Sequence, residues 1–138
     1  MASIAQHSFL QTALKADLDF DTATFKGMLL TSSYTPDKDH DFRNDLTNEV
    51  GASGTYAAGG ATATVTVTRD TVNDRIDISL GALSFTGATI TARYAAYYVA
   101  RGGASSADDL VAVIDFGSDV TSTASTWALT ASTLRFQF

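Results

Sequence analysis

Between positions 61 and 80 apolar and polar residues alternate in two blocks. Ala61, Ala63, Val65 and Val67 interleave with Thr62, Thr64, Thr66 and Thr68, and Ile76, Ile78 and Leu80 interleave with Asp77 and Ser79. Successive side chains of a strand point to opposite faces, so each block reads as a half-buried strand. The break between them holds Asp70, Asn73 and Asp74, residues suited to turns, which predicts a β-hairpin. A lone hairpin is marginal in water, so its apolar face requires further strands. The pattern supplies them at residues 24–31, 83–85, 89–100, 110–116, 126–130 and 133–138. In the 89–100 strand Ile90, Ala92, Tyr94, Ala96 and Tyr98 share one face. Residues 110–116 are almost continuously apolar and read as a central strand buried on both sides. Gly27 inside the first of these strands marks a bulge or a close backbone approach. Residues 101–109 and 117–125 read as loops. At the N-terminus Ser3 and Gln6 have the spacing of a capping box. A short helix over 4–15 follows, docking Phe9, Leu10 and Leu14 on the sheet.

Residues 34–60 break the pattern. They contain the single proline, Pro36, a charge-dense run from Asp37 to Asp45, and the glycines 51, 54, 59 and 60. One turn of helix near 39–44, anchored by Phe42, is expected within an otherwise long loop. Loops of this length in compact domains are usually functional or disordered. Tyr34, Phe42, Leu46, Val50 and Tyr56 favour an ordered one.

The architecture expected is mainly β: one domain over residues 1–138, an antiparallel β-sandwich of jelly-roll-like form with one short N-terminal helix. Composition agrees. Of fifteen acidic residues only Glu49 is glutamate, and aspartate favours turns where glutamate favours helices. The absence of cysteine excludes disulfides and thiolate chemistry. The formal charge of −6 argues against nonspecific nucleic-acid binding and against docking on anionic lipid. No signal peptide or membrane span is expected.

Candidate chemistry is sparse. Asp37, Asp39 and Asp41 imitate the start of a calcium loop, but Phe42 and Asn48 stand where the motif needs glycine and glutamate. His7 and His40 lie on different elements, without the further ligands a zinc site needs. There is no nucleophile elbow and no phosphate loop. No pair among fourteen aspartates is singled out for glycoside cleavage. No metal or other cofactor is therefore expected, and no catalytic residue is assigned. The candidate functional residues are interfacial. Asp37, Asp39 and Asp41 can set register against a complementary surface. Tyr34 and Tyr56 can anchor the loop, and Tyr97 and Trp127 belong to a supply of aromatics, with Phe136 and Phe138, that suits self-association.

The order of several segments adds to this reading. Residues 29–37 (Leu-Leu-Thr-Ser-Ser-Tyr-Thr-Pro-Asp) precede Asp45-Leu-Thr-Asn-Glu-Val50, then Gly54-Thr-Tyr56 and Gly59-Gly60, then Ile90-Thr-Ala-Arg93, then Asp115-Phe-Gly117. In this order and spacing the chain resembles a family of small virion structural proteins of tailed bacteriophages. The resemblance implies a noncatalytic component present in many copies, most like a capsid decoration (cement) protein on the outer surface of the assembled shell. It would be made in the host bacterial cytoplasm. Its partners would be the major capsid protein and further copies of itself, as a dimer or trimer, with no nucleic acid and no membrane. A tail- or fibre-associated adaptor that binds the host surface is the alternative, and a carbohydrate-acting enzyme a third reading.

Overall fold

The computed structural model describes residues 2–138, except the side chains of Ala2, His7 and Leu10. Two antiparallel sheets pack as a sandwich. In chain order the elements are β1 (Ala2–Ala5), α1 (His7–Leu14), β2 (Phe25–Leu30), β3 (Ala61–Ala63), β4 (Val65–Asp70), β5 (Arg75–Leu80), β6 (Leu83–Val99), β7 (Leu110–Leu129) and β8 (Ser132–Gln137). The larger sheet has the order β1-β7-β6-β2-β3 and the smaller β4-β5-β8. The expected mainly-β sandwich with one short helix is the fold observed.

The hairpin read from alternation is β4 and β5, paired from Val65↔Leu80 to Asp70↔Arg75. Asp70 holds its turn, its carboxylate accepting from the Val72 and Asn73 amides at 3.1 Å. The expected first strand divides, however. The chain turns a corner at Thr64, so that Ala61–Ala63 pairs with β2 in the larger sheet and Val65–Asp70 with β5 in the smaller. One extended run thus edges both sheets.

Three further expectations are corrected. Residues 117–125 are not a loop: β7 continues through them to Leu129, held against β6. The 83–85 and 89–100 strands are likewise one strand, β6, interrupted by register shifts. The face assignment within β6 also changes. Between Ala92 and Tyr94 the register shifts, Arg93 standing opposite the four β7 residues 116–119, and such an irregularity exchanges the faces of everything beyond it. Ile90 and Ala92 therefore enter the core between the sheets, with Ala95, Tyr97 and Val99. Tyr94, Ala96 and Tyr98 point to the opposite face.

At the N-terminus, residues 2–5 form a strand against β7 instead of the first helical turn. The helix begins at His7, and its N-cap Gln6 makes no side-chain capping bond. Phe9 docks in the core as expected, whereas Leu14 is 79% exposed and does not. Leu10 lies outside the described side chains. Gly27 marks a close approach: the Leu83 side chain occupies the place a Cβ would take.

The main core joins Leu29, Tyr97, Val111 and Ile114 of the larger sheet to Ile78, Leu80 and Leu134 of the smaller. A second cluster lies on the far side of the larger sheet, where Met28, Leu30, Tyr94, Ala96, Tyr98, Leu110 and Val113 meet Tyr34. β6 and β7 are consequently buried on both faces over their shared half, as expected for residues 110–116.

Candidate functional site

The 34–60 segment covers this second cluster and then wraps the edge of β2. Tyr34 is buried edge-on against Tyr94, ring centroids 5.6 Å apart, and its hydroxyl meets His40 Nδ1 at 2.8 Å. Burial pushes the Tyr34 phenol up to about 12, so it remains neutral across ordinary pH. Beyond it the charged run forms an exposed turn in which Asp37 Oδ1 accepts from the Asp39 amide at 2.9 Å. The expected helical turn is a single 3-10 turn, Arg43–Asp45. Asp45 Oδ2 accepts from the amides of Asp41 and Phe42 at 2.9 and 3.0 Å. The Phe42 amide bond is the main reason the Asp45 carboxyl is held below its ordinary value.

Two anchors fix this turn to the β-sheet. Arg43 pairs with buried Asp108 at 2.8 Å and its guanidinium lies over the Tyr98 ring. From the other side the buried Gln6 amide, oriented with its nitrogen toward the loop, lies 3.0–3.1 Å from the carbonyls of Asp37, Lys38 and His40. The ends of the charged run are therefore tied down, and Asp37, Asp39 and Asp41 lie exposed along it.

The segment then runs alongside β2. Thr31 donates to the Asn48 carbonyl and Val50 to the Leu29 carbonyl, so residues 48–50 cover the half of the β2 edge that β3 leaves open. Glu49 closes the wrap. Its Oε1 accepts from the Tyr56 hydroxyl at 2.7 Å and from the Gly59 amide at 2.6 Å. The same hydroxyl accepts from the Leu29 amide at 3.0 Å. Burial is the main cause that lifts the Tyr56 phenol well above its usual range. Gly60, at φ +78°, lies against the Gly27 carbonyl where a side chain has no room.

Of the seven candidate interface residues, Tyr34, Tyr56, Tyr97 and Trp127 are buried within the chain, none more than 2% exposed. They present no surface: Tyr56, Tyr97 and Trp127 fill the core between the sheets and Tyr34 the cluster on the far side of the larger sheet. Tyr97 donates to the Gly81 carbonyl at 2.8 Å and Trp127 Nε1 to the Val120 carbonyl at 3.1 Å. Phe136 is half-buried, and Phe138 is 81% exposed. Asp37, Asp39 and Asp41 are brought together on the exposed turn. His7 falls outside the described side chains. Sequence reasoning missed Glu49, Gln6 and Arg43 as the residues that position the arm. The signal available was Glu49's standing as the only glutamate.

Among the described residues no three histidine or acidic side chains converge as a metal-ligand set. Among the described residues, the clefts open to solvent include two near the chain's turns. One of about 300 Å³ lies between Arg69, Ile76 and Phe138, and one of about 460 Å³ between Asp17, Thr22 and Arg101. The arrangement can offer carboxylates and backbone to a partner surface; its tyrosines are structural donors. No family model, curated protein or solved structure matches this chain.

Proposed function

We propose that the chain is a noncatalytic virion structural protein of a tailed bacteriophage. It acts as a capsid decoration protein that binds the outer surface of the assembled shell through the arm of residues 34–60. One observation carries the reading. Three of the segments through which the sequence resembles phage virion proteins, 29–37, 45–50 and 54–60, are tied together along β2: Thr31 and Leu29 bond to Asn48 and Val50, and Glu49 joins Tyr56 and Gly59. Arg93 and Asp115 pair across β6 and β7 at 2.7 Å, and Asp115 also accepts from the Gly117 amide. Those segments flank and hold the exposed acidic turn that carries Asp37, Asp39 and Asp41. Binding to the assembled shell and not to its dissociated subunits stabilises the shell by mass action, and many identical weak contacts suffice on a repeating lattice.

The test replaces Asp37, Asp39 and Asp41 together with Asn. Asn keeps a carbonyl acceptor for the Asp39 amide, so the turn retains its bond and the melting temperature is expected to stay close to that of the parent chain. Occupancy on phage capsids assembled without the protein is expected to fall. Unchanged occupancy of the folded variant removes these charges from the interface. Localisation on tails instead of shells overturns the decoration reading in favour of an adaptor.

A further inference from the structure

We propose that two copies of the chain pair antiparallel through the outer side of β4, joining their three-stranded sheets into one continuous sheet. Among the described residues β4 pairs with β5 alone and ends its sheet. The phase of its backbone is fixed by the Gly81 amide, which donates to the Thr64 carbonyl at 2.7 Å. In an antiparallel ladder, bonded and non-bonded pairs alternate. Thr66, Thr68 and Asp70 therefore exchange bonds with Ser79, Asp77 and Arg75, while Val65, Val67 and Arg69 turn their N–H and C=O groups outward.

Natural edges of this kind are protected by charge, proline, a bulge or a covering segment. The run from Ala61 to Thr68 carries no charge, no proline and no glycine, and the β4–β5 register is unbroken. Val67 lies on the core-facing side of its strand yet is 49% exposed. The strand is finished on its inner side and open on its outer one.

The chemistry of the edge selects a second copy as the occupant. Two-fold antiparallel pairing sets even positions opposite even and odd opposite odd. Centred on Val67, it places Val67 against Val67 and Thr66 against Thr68, pairs that stabilise a β-sheet, and sets no like charges opposite each other. Copies that carry a net charge of −6 repel each other over most approaches. Here they meet through an uncharged run flanked by Arg69, which has no ion pair among the described residues. Val67 would be covered by its own counterpart. The pairing is independent of shell binding, which stands or falls on the arm aspartates.

The experiment is sedimentation velocity of the full chain over a concentration series, with Val67→Pro as the variant. Proline removes an N–H that faces away from β5, so the internal ladder stays whole. A concentration-dependent dimer is expected for the parent chain, weakened by about tenfold or more in the variant, with the strand signal in circular dichroism retained. If Val67→Pro does not fold, the Thr66→Lys, Thr68→Lys double variant replaces it, setting like charges across the two-fold. A parent chain that stays monomeric into the hundreds of micromolar overturns the pairing. So does a trimer, or a dimer whose dissociation constant is unchanged in the folded variant.

Discussion

Glu49 and Tyr56 show how a few atoms hold a long segment in place. The Tyr56 hydroxyl serves two masters: it accepts from the Leu29 amide and donates to Glu49. Because Tyr56 is 2% exposed, removing the oxygen strands a buried amide with no water to replace it. Tyr56→Phe is expected to cost about 1–3 kcal/mol, the usual range for leaving a buried donor unsatisfied. The loss should appear as a lower urea midpoint with the strand signal retained. An unchanged midpoint would show that the Leu29 amide finds another partner. Tyrosines 34, 56, 97 and 98 are all lifted above their ordinary values, chiefly by burial, so none ionises within the ordinary range of pH. Carboxylates held below their ordinary values, Asp45 and Asp115 among them, do contribute acid sensitivity.

Among elements, the arm depends on a carboxylate cap, as the β4–β5 turn does on Asp70. The Asp45 carboxyl is depressed below its ordinary 3.8 because two amides favour the charged form. A depressed folded value means stabilisation present above the ordinary value and lost as pH falls through the folded one. Melting temperature should therefore fall on acidification below about pH 4, and Asp45→Asn should flatten that slope. The slope should not vanish, since Asp115, held down by Arg93, contributes in the same direction. A variant with an undiminished slope would place the acid sensitivity elsewhere. The elements were legible in sequence where period alone decides. The β4–β5 hairpin was readable because it alternates and its turn is polar. The irregularity at Arg93 was not, because it leaves the apolar pattern of β6 intact and shows only against the register of β7. Residues 117–125 looked like a loop from their Gly, Ser and Asp content; from Val120 on, pairing with β6 overrides that preference. The aromatic surplus was not one, because the core between the two sheets takes Tyr97 and Trp127 and packs Phe136 against it.

Over the whole molecule, the candidate site was legible in its charges and not in its anchors. Asp37, Asp39 and Asp41 could be placed outward from polarity alone, while burial of Tyr34 and Tyr56 depends on a long segment folding back across a sheet edge. The corner at Thr64 has a different consequence. Because one uninterrupted run forms the margin of both sheets, neither can fray without loosening the other. The sandwich should then melt as a single cooperative unit. Calorimetry is expected to give one endotherm whose van't Hoff and calorimetric enthalpies agree, and the slowest-exchanging amides should include both Ala63 and Thr66 if their bonds open only in global unfolding. Two resolved endotherms would mean that the shared margin bends more easily than either sheet breaks.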